Sequence, residues 1–347
     1  MTRHASIGFG IVGTGMAAEL HARAITACED NGARIVGFAS RRPDNRFAAE
    51  VGRPCMELND MLQRPDLDVA CICSPSGLHA DQAVLAMQAG KHVLVEKPMA
   101  LSKTQAEGMI AVSRETGRYL GIALQRRAEP QFQRVHQAIE SGALGELVCG
   151  LVTIPYKRSM EYYDSAAWRG TWSLDGGGAL MNQGIHLLDL LLWWMGDPVQ
   201  IKVHAATLRH AIAVEDTLCA TMTFANGALA TVTATTATDP GFAHRVEIYG
   251  TQGGIQIEGE EVLRWHTAAD DSGSVLQDRV AGAGAGGDPR GIPITGHIGL
   301  IENFMATIRG EETLLVDGHQ GLRSLAGVEA IYAAAGLETK PDTKEHT

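Results

Sequence analysis

The sequence contains no apolar run long enough to cross a bilayer. Its best candidate, "LLDLLLWWMG" ending at Gly196, falls short of the ~20 residues a membrane helix needs and is interrupted by Asp189. No secretory leader with a charged, an apolar and a small-residue zone opens the chain; "MTRHASIGFGIVG" runs almost directly into a strand-like segment. Together these absences predict a cytoplasmic protein with no membrane partner. There is no excess of basic charge: 29 Lys and Arg stand against 40 Asp and Glu, for a net charge of -11. Nucleic-acid affinity comes chiefly from Lys and Arg contacts to phosphate, so no nucleic-acid partner is expected. Cysteine is sparse, six residues scattered without metal-ligand spacing, which predicts reduced, packed thiols and no metal. What is present is ordinary globular material, 45% hydrophobic and 20% charged over 347 residues. That length exceeds what one core usually organises and predicts two domains.

The first third alternates strand and helix patterns. "SIGFGIVG", "ARIVGFAS", "VACICS", "HVLVE" and "YLGIALQ" are strand-like, with helical segments such as "MAAELHARAITAC" and "HADQAVLAMQAG" between them. Ser102 and Gln105 have the spacing of a capping box at the head of another helix. Strict alternation means parallel strands joined by crossovers, hence an α/β, doubly wound Rossmann domain over residues 1–125. Beyond it the rhythm changes to long alternating segments, "ELVCGLVTIPY", "VQIKVHAATL", "DTLCATMTFANGALATVTATT" and "HRVEIYGTQGGIQIEG". Asn226-Gly227 is a strong hairpin signal and Gly253-Gly254 a weaker one. These predict an α+β domain over residues 126–338 with a large, open, mostly antiparallel sheet. Within it, "AGAGAGGDPRG" (281–291) is expected to be a mobile loop, and 339–347 a flexible tail.

"GIVGTGMAA" joins the first strand to the first helix and holds Gly13-x-Gly15-x-x-Ala18. Gly13 permits the tight turn, Gly15 leaves room for a pyrophosphate against backbone, and Ala18 allows close packing. Thr14 and Met16 belong to the same turn. The second strand ends "FASRRPD", where NAD-selective folds usually place an acidic residue. Ser40, Arg41 and Arg42 instead offer a hydroxyl and two guanidinium forks suited to a 2′-phosphate. NADP is therefore expected in preference to NAD, the alternative being that the arginines are solvated surface.

"AGKHVLVEKPMALS" puts Glu96-Lys97-Pro98 at the carboxyl end of the fourth strand of this reading, where ligands of open α/β sheets bind. Pro98 biases Lys97 to an extended backbone, which lets its side chain project into the crevice. Gln125 ends the next strand, a candidate contact for the nicotinamide ribose. A different signal comes from "GGGALMNQGIHLLDLLLWWMG" (176–196): Asn182, His186 and Asp189 fall at i, i+4 and i+7 of a largely apolar helix. The stripe reads either as a wet helix face or as the wall of a polar cavity. Tyr163, Trp168 and Arg169 lie in the loop before it and suit the apolar and hydroxylated faces of a sugar, though such a Trp equally serves packing.

The Gly-rich turn, "AGKHVLVEKP", the Gly176–Gly196 stretch and the closing "VDGHQGLRSLAGVEAIYAAA" together resemble the glucose–fructose oxidoreductase / inositol dehydrogenase / MocA family. The resemblance covers nearly the whole chain. It implies an NAD(P)-dependent dehydrogenase of a sugar, polyol or sugar derivative, a homodimer or homotetramer formed through the open sheet, and catalysis by Lys97 and His186. It also implies that Glu96 and the segment of Ser74, Pro75 and His79 line the cofactor site. Asn182 departs from the many inositol-type members that carry aspartate four residues before the catalytic histidine. "MNQGIH" with the preceding "EYYDSAAWRGTWSLDGGG" is similar to members resembling nucleotide-sugar 3-dehydrogenases. Asn182 can bind a substrate hydroxyl or fix the imidazole, but it cannot stabilise imidazolium by charge. Two alternatives remain from this reading: a family-type glycosidase using bound NAD for transient oxidation, and a non-catalytic cofactor sensor.

Overall fold

The computed structural model describes residues 6–41, 44–268 and 293–337, and the chain divides into two compact units. One comprises Met1–Glu129 with Pro293–Leu325, the other Pro130–Ile292 with Ala326–Thr347. The chain thus crosses between units more than once, whereas the sequence reading draws one boundary, at 125/126. Segments 281–291 and 339–347, expected to be loop and tail, lie outside the described residues.

The first unit begins β1 (Ile7–Val12), α1 (Met16–Ala27), β2 (Ala33–Ala39), α2 (Asn45–Val51), β3 (Cys55–Met56), α3 (Leu58–Leu62) and β4 (Val69–Ile72). It continues α4 (His79–Gln88), β5 (His92–Val95), α5 (Lys103–Thr116) and β6 (Leu120–Ile122). The six strands form one sheet in the order β3-β2-β1-β4-β5-β6, and every pairing is parallel. Helices on both faces explain why β1, β4 and β5 read as continuous apolar runs and not as alternations. Ser102 caps α5 by accepting from the Gln105 amide at 3.3 Å, while the Gln105 side chain reaches back to the Leu101 amide at 3.0 Å. Strand order reverses between β1 and β4, which defines the crevice at the carboxyl ends of the strands.

The second unit holds α6 (Pro130–Glu140), β7 (Leu147–Pro155), α7 (Met160–Asp164), a π-helical turn (Ala179–Gly184), α8 (Ile185–Met195) and β8 (Pro198–Ala206). Then follow β9 (Thr217–Phe224), β10 (Leu229–Thr235), β11 (Arg245–Gly250), β12 (Gly253–Glu258) and β13 (Glu261–His266). Its seven-stranded sheet runs β13-β12-β11-β7-β10-β9-β8. All pairings are antiparallel except β7 with β10, so the sheet is mixed and mostly antiparallel, as the alternating segments imply. Gly227 closes the β9–β10 hairpin with φ +84 and an amide bond to the Phe224 carbonyl at 2.9 Å. At the next hairpin, by contrast, the turn is Thr251-Gln252, and Gly253 and Gly254 belong to β12. Those two glycines answer a packing need: a Cβ on Gly253 would stand 2.4 Å from the His266 carbonyl oxygen, and one on Gly254 2.6 Å from the Tyr249 ring. α8 covers one sheet face, approaching so closely at Gly150 that a Cβ there would lie 2.5 Å from Met195 Sδ. On the other face Cys219 and Leu229 are exposed.

α9 (Thr295–Ile308) belongs to the first unit. Its Ile301, Phe304 and Met305 enter the same apolar cluster as Phe9, Ile11 and Ile25. α10 (Gly318–Ala334) follows, and its Val328, Ile331 and Tyr332 are buried. No helix among the described residues is long and apolar enough to cross a membrane. All six cysteines are free.

Candidate active site

The Gly-rich turn has the geometry its sequence implies. Gly13 takes φ +112, and a Cβ there would lie 2.6 Å from the Cys73 carbonyl oxygen, so only glycine lets the β1 loop rest on the β4 loop at the crossover. Gly15 is exposed with nothing within 4 Å of a notional Cβ, and as the N-cap of α1 it brings no side-chain acceptor. The amides of the first turn and the helix dipole therefore face open space of the kind a pyrophosphate occupies. These residues fit a dinucleotide. Thr14 and Met16 flank them, both half-buried.

At the end of β5, Glu96 and Lys97 have opposite fates. Lys97 is half-buried, and its peptide bond to Pro98 is cis. Glu96 is 8% exposed and turns inward: Oε1 lies 2.8 Å from His21 Nε2 of α1, and Oε2 accepts from the Lys97 amide at 3.2 Å. His297 of α9 stands behind, its Nε2 4.0 Å from Glu96 Oε1 and its ring edge-on to His21 at 5.3 Å. Burial opposes charge on both members of the pair, but hydrogen bonding prevails, for His21 first with Cys71 and then with Glu96, for Glu96 with His21. His21, also bonded to Cys71, is raised to about 10, and Glu96 is lowered to about 2. Burial, reinforced by the His21 charge, lowers His297 to about 4. The donor atoms of His21, Glu96 and His297 lie within 4.8 Å of one another. The 2.8 Å contact is already a charge-assisted hydrogen bond, and its effect is to fix the main chain from which Lys97 projects.

His79 is 1% exposed and ties two strand-end loops together, with Nδ1 2.8 Å from the Pro98 carbonyl and Nε2 2.8 Å from the Ser74 carbonyl. What His79 visibly does is hold backbone. Ser74 Oγ donates to Gln82 at 2.6 Å and Pro75 is half-buried; Gln125, 8% exposed, does not end β6 but opens a 3-10 turn (Gln125–Ala128) beyond it. Arg41 is exposed, Ser40 half-buried, and Arg42 lies outside the described residues.

In the second unit the Gly176–Gly196 stretch is not one α-helix. Residues 179–184 form a π-turn that leads into α8, a local widening often found at functional sites. Two of the three glycines ahead of it answer to lack of space: a Cβ on Gly177 would meet the Tyr332 hydroxyl at 2.4 Å, and one on Gly178 the Glu215 carbonyl at 1.7 Å, while Gly176 takes φ +81. Distant residues cap this helix start. Glu215 accepts from the Gly178 and Leu180 amides, both at 2.9 Å, and Tyr332 Oη accepts from the amides of Gly178 and Met181. Nothing local in the sequence signals either partner.

Asn182 and His186 are half-buried and Asp189 is 1% exposed, so the third member of the polar stripe points into the protein. Asn182 Nδ2 donates to Asp175 Oδ1 at 2.8 Å. Asp175, 3% exposed, also accepts from the Gly170 amide through Oδ2 at 2.9 Å. Of the adjacent tyrosines, Tyr163 is buried and bonds Thr236 at 2.8 Å, whereas Tyr162 accepts from Arg169 Nη1 at 2.6 Å and from Gln183 Nε2 at 3.4 Å. The Arg169 guanidinium lies 4.2 Å from the Tyr162 ring and 4.6 Å from that of Trp168. Arg158, 7% exposed, stands 5.4 Å from the same Tyr162 ring. Tyr162, Asp175, Gln183 and Arg158 join a constellation of which the sequence marked Asn182, Trp168 and Arg169. The clue available was a lone carboxylate immediately before three glycines.

Comparison with known proteins bears on the family of the chain. A profile described as "Oxidoreductase family, NAD-binding Rossmann fold" matches residues 7–124, and one described as "GFO/IDH/MocA C-terminal domain" matches residues 132–256. The WlbA dehydrogenase from Bordetella pertussis, solved in complex with NADH and UDP-GlcNAcA, is 33% identical with a TM-score of 0.83, covering 95% of this chain and 97% of that one. The WlbA dehydrogenase from Chromobacterium violaceum, solved with the same two ligands, is 29% identical with a TM-score of 0.82, covering 97% and 95%. An inositol 2-dehydrogenase of Rhizobium meliloti is 25% identical over 94% of this chain and 96% of its own length. The preference for NADP is overturned: both WlbA structures hold NADH. Arg41 is exposed, so its charge is compatible with the solvated-surface alternative.

Proposed function

The chain belongs to the glucose–fructose oxidoreductase / inositol dehydrogenase / MocA family, and on that premise we propose that it uses NAD to oxidise a nucleotide-activated sugar acid. It is an oxidoreductase that moves hydride between a nicotinamide and a CH–OH group of a sugar or polyol. The finer reading is carried by one observation: two guanidinium groups, Arg158 and Arg169, gather around the Tyr162 ring in a chain whose net charge is -11. A local cationic cluster on an acidic protein concentrates an anionic ligand, and the guanidinium fork matches carboxylate or phosphate. Relatives solved with UDP-GlcNAcA support the same class.

Bound NAD supplies the hydride acceptor, nicotinamide C4. His186, in neutral form, accepts the hydroxyl proton, and the Lys97 ammonium stabilises the negative charge that develops on oxygen. Asn182 and Gln183 position the sugar, and Trp168 offers it an apolar face. Gly13, Thr14, Gly15 and Met16 cradle the pyrophosphate; Ser40 and Arg41 meet the adenosine ribose; Ser74, Pro75 and Gln125 border the nicotinamide half. Glu96 and His79 act through the backbone they hold. Copies associate as a dimer or tetramer through the open face of the seven-stranded sheet, and the free thiols suit the cytoplasm. Sedimentation equilibrium reads the first claim; a monomer at micromolar concentration rejects it.

The substrate reading is tested by following nicotinamide absorbance with UDP-GlcNAcA, UDP-GlcNAc and myo-inositol in turn. The acid should exceed UDP-GlcNAc, which keeps the diphosphate but lacks the carboxylate, at least about 10-fold in kcat/KM, the worth of one charge-assisted hydrogen bond. Equal rates with and without the carboxylate remove the sugar-acid reading.

A further inference from the structure

The position four residues before His186 carries an amide, yet a carboxylate stands directly behind that amide. We propose that Asp175 is a positioning residue that orients Asn182, so that the Asp175–Asn182 pair takes the part of a single carboxylate beside the proton-accepting histidine. The proposal rests on His186 as the base.

The argument starts from donors and acceptors. An ionised carboxylate only accepts, so the end of Asn182 that meets Asp175 at 2.8 Å is its NH2 group. The amide is thereby prevented from flipping, and Oδ1 is the atom left to face away from Asp175. An amide whose NH2 is bonded to a buried anion is polarised, which strengthens its oxygen as an acceptor. Asp175 is itself fixed: its Oδ2 holds the Gly170 amide, and its own amide donates to the Thr171 carbonyl at 3.1 Å. The π-turn carries Asn182 on one side of this contact, and α8 carries His186 in its first turn.

In the oxidation step the C–H bond breaks with its electron pair going to nicotinamide C4, and the O–H proton goes to the imidazole. The products are ketone, NADH and imidazolium, which returns its proton to solvent. An amide oxygen backed by a carboxylate favours the imidazolium in the transition state, as a directly placed carboxylate does. A freely flipping asparagine presents its NH2 dipole half the time and opposes it.

The test exchanges the two groups. Asp175→Asn, Asn182→Asp and the double exchange D175N/N182D are compared with wild type, using UDP-GlcNAcA and then myo-inositol as substrate with NAD, and NADH binding as the integrity check. Each single variant should lose about 10-fold or more in kcat, with NADH affinity within about 3-fold of wild type. Asn182→Asp leaves the Asp175–Gly170 contact in place and so serves where Asp175→Asn fails to fold. The double exchange should recover to within about 3-fold of wild type, because carboxylate and amide still pair. Wild-type kcat in either folded single variant overturns the proposal, as does a folded double variant no better than the singles. Wild type silent on both substrates refutes the functional reading above instead, and full activity in His186→Ala refutes the choice of base.

Discussion

The Tyr332 hydroxyl donates to Glu215 at 2.9 Å across 117 residues of chain, and together they satisfy the amides at the head of the π-turn. Tyr332→Phe leaves the Met181 amide without this acceptor and removes one of the two acceptors of Gly178. A buried donor left unsatisfied costs about 1–3 kcal/mol. The denaturation midpoint should fall accordingly, with turnover falling in the survivors because Asn182 rides on the same turn. An unchanged midpoint contradicts this account of the helix start.

Glu215 also predicts a pH trend. Burial pushes its carboxyl up from 4.5 to about 7, against the pull of its amide and hydroxyl donors. The native state then binds this proton more readily than the unfolded chain. From this group, stability rises as pH falls from about 7 to 4.5 and is lost as pH rises through that window, by up to about 3 kcal/mol. Urea titrations at several pH values should show that slope in wild type and its absence in Glu215→Gln.

The His21–Glu96 pair bounds stability at the extremes. The lowered Glu96 contributes fully above 4.5, and that contribution disappears as pH falls toward about 2. The raised His21 contributes fully below 6.5 and loses its effect as pH rises through about 10. Removing one partner of such a buried pair costs about 3–5 kcal/mol. His21→Gln should therefore be much less stable than wild type at pH 7 and should approach it above pH 10. A constant gap across that range would show that packing, not charge, is what the substitution removed.

Lys97→Ala and His186→Ala each should lower turnover about 100-fold or more, while NAD titration by fluorescence stays close to wild type. Retention of rate in either variant rejects its assignment to the proton or to the developing oxyanion.

The first unit was legible because its signals are local. Alternating patterns give the parallel sheet, and Gly13 and Gly15 give the turn, the first by its positive φ against the Cys73 carbonyl and the second by the open space it leaves. Asn226-Gly227 likewise fixes its hairpin within a few residues. The mixed sheet was legible in kind, but not the parallel β7–β10 pairing, which joins strands about eighty residues apart in number. The π-turn has no local signal in the sequence, because its cause is Glu215 and Tyr332, far along the chain. The choice between Tyr162 and Tyr163 is decided by which one faces Thr236, and adjacent aromatics carry no local sign of that. Gly253-Gly254 read as a turn because glycine marks both bends and crowding.

The return of α9 to the sheet of the first unit bears on how the protein is made. Ile301, Phe304 and Met305 complete a core begun by Phe9 and Ile11, so a ribosome must pass Met305 before the nucleotide half can close. Until then that half presents an oily flank, an invitation to chaperones, and a gene fragment cut after residue 129 would express as an adhesive intermediate.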